Sequence, residues 1–177
     1  MMGISAIAAG NYILSLGARD GVPVSPMGLQ KLVYIAHGWH LALRSEPLVT
    51  NEHPEAWDYG PVFPSLYYEF RSYGSHPIAR AAAELVPDDD GSWRERTPTI
   101  PPHESVTRDI VDWVWASYRH LDGLQLSDLT HQRGSPWWQT RLGASGYRNT
   151  PIPRELIEDH FRDLAWKNRE RRDAKVA

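Results

Sequence analysis

Leu29-Gln30-Lys31-Leu32-Val33-Tyr34-Ile35-Ala36-His37-Gly38-Trp39-His40, continued to Arg44, is the stretch on which the fold turns. Leu29, Leu32, Val33, Ala36, Trp39 and Leu43 recur at intervals of three and four residues, the spacing that lines up one apolar face of an α-helix. Ser25-Pro26 supplies its start: the serine hydroxyl can accept from a free backbone N–H, and proline at the first helical position gives up a donor that had no partner anyway. Glu46-Pro47 ends it, because the residue before proline is pushed out of the helical region. Gly38 in the interior costs about 1 kcal/mol against alanine, so a packing reason is expected there, namely a close crossing by another helix.

Working outward, a first helix is expected from Ser5 to Leu16, capped by Ser5 and ended by Gly17. Leu48 to Trp57 reads as extended. Gly60-Pro61 then turns the chain into a third helix through Phe63, Leu66, Tyr67, Phe70 and Tyr73, closed by Gly74. From Ser75 to Pro102 the apolar period is lost, and Asp90-Gly91 marks the turn of a short hairpin or a loop. Asp88, Asp89 and Asp90 lack the alternating spacing of a calcium loop. Ser105 to Leu121 is periodic again, with Val106, Ile110, Trp113, Val114 and Leu121 on one face and Val111, Trp115 and Tyr118 beside them, and is expected to be the central buried helix. A short helix over Leu126 to Gln132, another started by Ser135-Pro136, and a last one from Pro153 to Lys167 complete the series. The expectation is a mostly α, compact single-domain bundle of about six to eight helices with a short β-hairpin between residues 75 and 102. The domain spans residues 1–166 and a charged C-terminal tail, residues 167–177, should fray.

Composition supports one folded domain: 177 residues, 41% hydrophobic, with 8 Trp and 8 Tyr. A net charge of -3 offers no general attraction for nucleic acid. The absence of Cys excludes disulfides, thiolate nucleophiles and Cys-ligated metal. Met1 to Gly10 lacks the basic and long apolar parts of a signal peptide, and apolar runs fall short of a membrane span. A cytoplasmic protein with no membrane partner is expected.

The eight histidines are the first candidates for chemistry. His37 and His40 lie three apart on one helix and could reach one metal, with further ligands from His120 or His131, but no carboxylate stands between them as in zinc-protease helices. No nucleophile elbow, phosphate loop or dinucleotide fingerprint is present. The chain is therefore read as a non-enzyme with no catalytic residues, metal or cofactor; a His-dependent metal-binding enzyme is the alternative of a different class. Glu52, Glu55, Asp58 and Glu69 read as solvated carboxylates. Trp39, Trp113 and Trp115 are expected in the core. Trp57, Tyr59, Tyr67, Tyr68, Phe70 and Tyr73 are too dense for one helical face to bury, and exposed Tyr beside Arg71 has the composition of a protein-binding surface. Tyr59, Tyr67, Tyr68, Arg71 and Tyr73 are the residues assigned to it.

The order of short motifs is more specific than any one of them. Leu29-Gln30-Lys31-Leu32, Gly38-Trp39, Trp57-Asp58-Tyr59-Gly60-Pro61-Val62, Tyr73-Gly74, Leu126-Ser127-Asp128-Leu129-Thr130-His131 and Ser135-Pro136-Trp137 follow one another between about Ala6 and Arg141. This set resembles the Panacea domain, a helical domain of bacterial and phage-associated antitoxins, with Lys31, Trp39, Trp57, Gly60, Pro61, Thr130, His131 and Trp137 matching its signature. The resemblance implies an antitoxin of a type II toxin–antitoxin system, with a phage-defence connection, that neutralises a cognate protein toxin from an adjacent gene by direct binding. The alternative within the family is a proteolytic adaptor that delivers the toxin to a cellular protease. The family brings no catalytic residues, so the signature is read as structural: Gly60-Pro61 as a turn and helix start, Thr130 and His131 as hydrogen bonds between helices. Many members carry an added DNA-binding domain for which this chain leaves no room, so no direct nucleic-acid partner is expected.

Overall fold

The computed structural model describes residues 3–143, 147 and 149–176; Met1, Met2 and Ala177, included in the sequence reading, lie outside them. Among the described residues the elements are α1 (Ala6–Asp20), α2 (Pro26–Arg44), β1 (Glu55–Trp57), β2 (Gly60–Val62), α3 (Pro64–Phe70) running into a 3-10 turn (Arg71–Tyr73), β3 (Glu84–Pro87), β4 (Trp93–Arg96), α4 (Ser105–Tyr118), α5 (Gly123–His131), α6 (Pro136–Gly143), β5 (Thr150–Pro151) and α7 (Arg154–Val176). The fold is mostly α, as the periodicity implies.

The middle of the molecule is α2, and α1, α3, α4, α5 and α7 all pack on it. Ser25 accepts from Gly28 N with Pro26 in the first turn, as its sequence predicts. What the pattern did not show is that every residue from Gly28 to Leu41 is buried, so α2 is enclosed on all sides and replaces α4 as the central helix. Its polar side chains are consequently obliged to find partners, and they do so on the loops that wrap it. Gln30 exchanges two hydrogen bonds with the backbone of Phe63, at 3.0 and 2.9 Å. His37 Nδ1 accepts from Val49 N at 3.2 Å. His40 Nδ1 lies 2.7 Å from Glu46 O and its Nε2 3.2 Å from the Thr107 hydroxyl. Burial drives the pKa of His37 down to about 3 and lowers that of His40, so both pack as neutral rings. Tyr34, whose ring meets that of Phe161 edge-on, has a buried hydroxyl with no hydrogen-bond partner among the described residues.

Gly38 has the packing reason its sequence position requires. A Cβ built there would lie 2.2 Å from Phe161 Cε2, so the absence of a side chain is what lets α7 seat its phenylalanine directly on the α2 backbone. The Phe161 ring also meets Trp39 edge-on at 5.5 Å.

Several boundaries differ from expectation. Gly17 does not end α1; it lies buried within it, and Gly21, in the left-handed region at φ 68°, is the cap. Pro61 belongs to β2 and does not start a helix. That role falls to Pro64, with the Glu52 carboxylate accepting from Ser65 N at 3.1 Å and from its hydroxyl, so Glu52 is a capping group, not a solvated one. On α4, Ile110, Val111, Val114 and Trp115 face inward while Val106 and Trp113 are exposed; Trp113 therefore leaves the expected core. Residues past Lys167 continue α7 as helix to Val176 where fraying was expected.

The strands are short. β1 is paired antiparallel with β2 on one side and β5 on the other, Ala56 standing opposite Pro61 and Thr150. β3 and β4 form the expected hairpin between residues 75 and 102, with Gly91 at φ 83° in its turn.

Gly38→Ala is expected to lower the thermal midpoint by pushing Phe161 off α2, at a cost of about 1–3 kcal/mol. Circular dichroism melts of Gly38→Ala, Phe161→Leu and the double variant measure it; the double variant should lose less than the sum of the two single variants.

Candidate functional site

The hairpin of β1 and β2 projects the sequence Trp57-Asp58-Tyr59-Gly60 from the sheet, and its backbone is held from beneath by side chains from three helices, α2, α5 and α6. Arg141 Nη1 of α6 lies 3.5 Å from Ala56 O. Trp137 Nε1 donates to Trp57 O at 2.7 Å. His131 Nε2 lies 3.2 Å from Asp58 O. Ser127 Oγ donates to Tyr59 O at 3.1 Å. Lys31 Nζ, arriving from α2, donates to Pro61 O at 3.0 Å. Five carbonyls in six residues are thus met by side chains, which fixes a tight turn that a three-residue ladder could not hold alone.

Lys31 is the unusual member. Its side chain is 1% exposed, and among the described residues no carboxylate is paired with it. Desolvation lowers its pKa to about 7, since the charged form has lost its water and gained one carbonyl. Gly60 closes the space above it. A Cβ at Gly60 would come within 2.6 Å of Lys31 Nζ and 3.1 Å of His131 Cε1, and φ there is +103°, so both room and backbone require glycine.

The His131 ring sits on the edge of Trp137, with centroids 4.2 Å apart, and its Nδ1 lies 2.7 Å from Ser127 O of its own helix. Thr130 likewise bonds to Ser127 O at 2.9 Å. Thr130 and His131 thus do not link helices to each other, as the sequence reading had it: Thr130 caps within α5, and His131 ties α5 to the hairpin. Of the signature residues, Lys31, Gly60, Pro61, His131 and Trp137 converge on this latch, Trp57 supplies one of its carbonyls, and Trp39 belongs to the α7 contact. Ser127 and Arg141 were missed as members. Both stand within or at the end of the motifs, but a serine or an arginine carries no sign of which carbonyl it will reach.

On the outer side lies an aromatic strip. Trp57 and Tyr67 meet edge-on at 4.8 Å, Tyr67 and Tyr68 at 5.5 Å, and the Arg71 guanidinium stands 5.3 Å over the Tyr68 ring. Tyr67 and Tyr68 are exposed, and Tyr59 at the hairpin tip is 72% exposed. Tyr73 is half-buried against Phe70 and the core, so of the five residues assigned to a binding surface it is the one turned inward. The histidines do not gather. His37 and His40 are both occupied by the loop that follows α2, at Val49 and Glu46, and among the described residues no three of His, Cys, Asp or Glu are grouped as metal ligands would be. Among the described residues no helix is long and apolar enough to cross a membrane.

The domain is mostly helical, its polar interior braces a hairpin, and aromatic side chains with an arginine are displayed beside it. The family model described as "Antitoxin SocA-like, Panacea domain" matches residues 29–138. The chain is also 32% identical over 165 residues to "Antitoxin SocA" of Caulobacter vibrioides (strain NA1000 / CB15N), covering 90% of this chain and 83% of the relative. This chain belongs to the SocA-like Panacea family. No solved structure matches it.

Two measurements probe the latch. Because the folded pKa of Lys31 lies below its ordinary value of 10.5, between about pH 7 and 10.5 the unfolded chain holds a proton that the folded chain has released. Stability contributed at this position therefore rises with pH across that window, by up to about 1.4 kcal/mol per pH unit. Urea unfolding at pH 7, 8 and 9 should show this rise in the native protein relative to Lys31→Met. Trp137→Phe, which leaves Trp57 O without its donor, should cost about 1–3 kcal/mol and speed amide exchange across residues 55–62.

Proposed function

We propose that this protein is the antitoxin of a type II toxin–antitoxin pair, acting in the cytoplasm by binding a protein toxin directly. The observation that carries the reading is the continuous strip Trp57–Tyr67–Tyr68–Arg71 beside a hairpin whose tip is braced from inside. Membership of an antitoxin family and the likeness to a relative named Antitoxin SocA support the partner class. Aromatic and arginine side chains are the groups that contribute most to protein–protein affinity, and a braced platform loses little entropy when they are captured. A nanomolar complex corresponds to about 12 kcal/mol, within reach of a standard interface with a few such anchors. Tyr59 at the tip and Tyr68 with Arg71 on α3 are the contacts we assign to the toxin, with Tyr67 supporting them and Tyr73 holding the 3-10 turn in place.

The test is growth of a bacterial host expressing the open reading frame adjacent to this gene, with and without this protein. Arrest relieved by co-expression, with a co-purifying complex, is the expected result. Toxin half-life in the rescued cells separates occlusion, which leaves it unchanged or longer, from delivery to a protease, which shortens it. Tyr68→Ala and Arg71→Glu should each weaken the complex by about ten-fold or more, the equivalent of about 1.4 kcal/mol, while thermal melts stay within a degree or two of the native protein. Full neutralisation by both folded variants would move the interface elsewhere.

A further inference from the structure

The second half of α7 presents a different surface. Along its inward face Ile157 and Phe161 are buried, and Leu164 and Ala165 are partly so. One and two turns further on, in the same register, stand Arg169 and Arg172. From Trp166 to Lys175 every residue is exposed, so roughly 16 Å of helix, at about 1.5 Å per residue, extends past its last packed residue. An isolated helical stretch of this length is marginal in water, and these residues lie on the side that would ordinarily be covered.

Arg169 and Arg172, with Asn168 beside them, border a groove of about 520 Å³ whose apolar lining is Trp39, Leu43, Trp113 and Ala165. Leu43 and Trp113 are exposed there, Trp113 by 45%, and the Trp113 ring stands edge-on to Trp39 at 4.9 Å. No carboxylate lines the groove. Arg169 has no ion pair among the described residues, and Arg172 reaches only its exposed chain neighbour Asp173, at 3.7 Å. Between residues 167 and 176 five cations stand against two carboxylates in a chain whose net charge is -3. This groove shares no residue with the Trp57–Arg71 strip, and Leu43 lies about 20 Å along α2 from Gln30, which holds the start of α3.

We propose that the groove between α2, α4 and the free end of α7 is a second docking surface, for a peptide segment of a partner protein that carries one or two large apolar side chains flanked by carboxylates. The apolar floor takes the apolar anchors, Arg169 and Arg172 pair with the acids, and capture orders the α7 overhang. Phosphate backbone is a poorer fit, because nucleic-acid affinity grows with the number of cations that reach phosphates and only two arginines border the groove, whose other lining is Asn168 and four apolar side chains. The proposal depends on the antitoxin reading only in expecting a protein partner.

The test is selection of a displayed random dodecapeptide library on the full chain, followed by solution binding of the most enriched peptide to native protein, Arg169→Glu/Arg172→Glu and Trp113→Ala. Enrichment of Asp and Glu around Trp, Phe or Leu is expected. Affinity should fall at least ten-fold in the double variant and several-fold in Trp113→Ala, with native circular dichroism in the rest of the molecule, and should weaken with salt. No enrichment, enrichment without acidic residues, binding indifferent to both variants, or binding of a single-stranded DNA oligonucleotide in place of peptide would each overturn it. Growth rescue by the adjacent open reading frame is scored separately, so failure here leaves the Trp57–Arg71 assignment standing, and failure there leaves this one.

Discussion

A lysine amine enclosed under the Pro61 carbonyl sets the terms for everything around it. Removing an ammonium from water costs several kcal/mol, and one hydrogen bond to a carbonyl, worth about 1.5–3 kcal/mol when a charge is involved, does not offset that. The molecule resolves the conflict by moving the pKa of Lys31 to about 7, where the neutral amine can donate the same bond without carrying the charge. The bond survives only while the hairpin stays closed. Gly60 has to sit directly above the amine, which demands glycine; the turn around it has to be held, and Trp137 and Ser127 donate to the carbonyls of Trp57 and Tyr59 while the His131 ring lies against that of Asp58. One desolvated amine thus explains why residues separated by more than a hundred positions behave as one unit.

The same logic runs along the whole of α2. A helix buried on every side cannot leave its polar side chains to water, so Gln30 and Lys31 take backbone groups from the Pro61–Phe63 stretch, and His37 and His40 from the loop that follows α2. These bonds give little net stability over solvated ones, but the penalty for leaving any of them unmade is large. That asymmetry makes them specificity devices: a loop in the wrong register strands a polar atom in the core. The apolar contacts, among them Phe161 on Gly38, supply the driving force, while the polar ones choose the arrangement.

What could be seen in the sequence follows from this division. Periodicity and punctuation located the helices, because Ser25-Pro26, Asp90-Gly91 and Ser135-Pro136 act through local geometry that any fold must respect. Periodicity failed where a helix is buried all round or only partly: α2 was read as one-faced, and Trp113 was assigned to the core although its face of α4 opens onto a groove. Gly17 misled because a glycine that permits close packing and one that ends a helix look alike in sequence; Gly21, with its left-handed φ, was the terminator. The aromatic density near Tyr67 and Tyr68 correctly implied exposed rings. The inward role of Tyr73 was not readable, since the 3-10 turn that rotates it toward Phe70 depends on tertiary contacts. The latch itself was visible only as a list of motifs. Its bonds end on carbonyl oxygens, which every residue possesses, so no pattern of side chains could say which ones they would meet.

Most of the signature residues that match the family point inward or supply the backbone that the others hold, and this bears on how a binding protein can keep its fold while its partner varies. Lys31, His131 and Trp137 spend their hydrogen bonds on the hairpin, and Trp39 spends its ring on Trp113 and Phe161. Tyr59, Tyr68 and Arg71 satisfy no buried group, so a substitution at any of them leaves no polar atom stranded and opens no cavity. Surface positions of that kind change stability by about half a kcal/mol or less, whereas a change in the latch exposes a desolvated amine or an unpaired carbonyl. Two such populations of residues evolve under different constraints: the interior is held by the cost of every partial alternative, and the displayed strip is held only by whatever it touches. The hairpin joins them, since the same six-residue stretch, five of whose carbonyls face the latch, carries Trp57 and Tyr59 outward. Bracing the backbone at each of those carbonyls is therefore what allows the side chains above it to be exchanged one at a time without the platform moving beneath them.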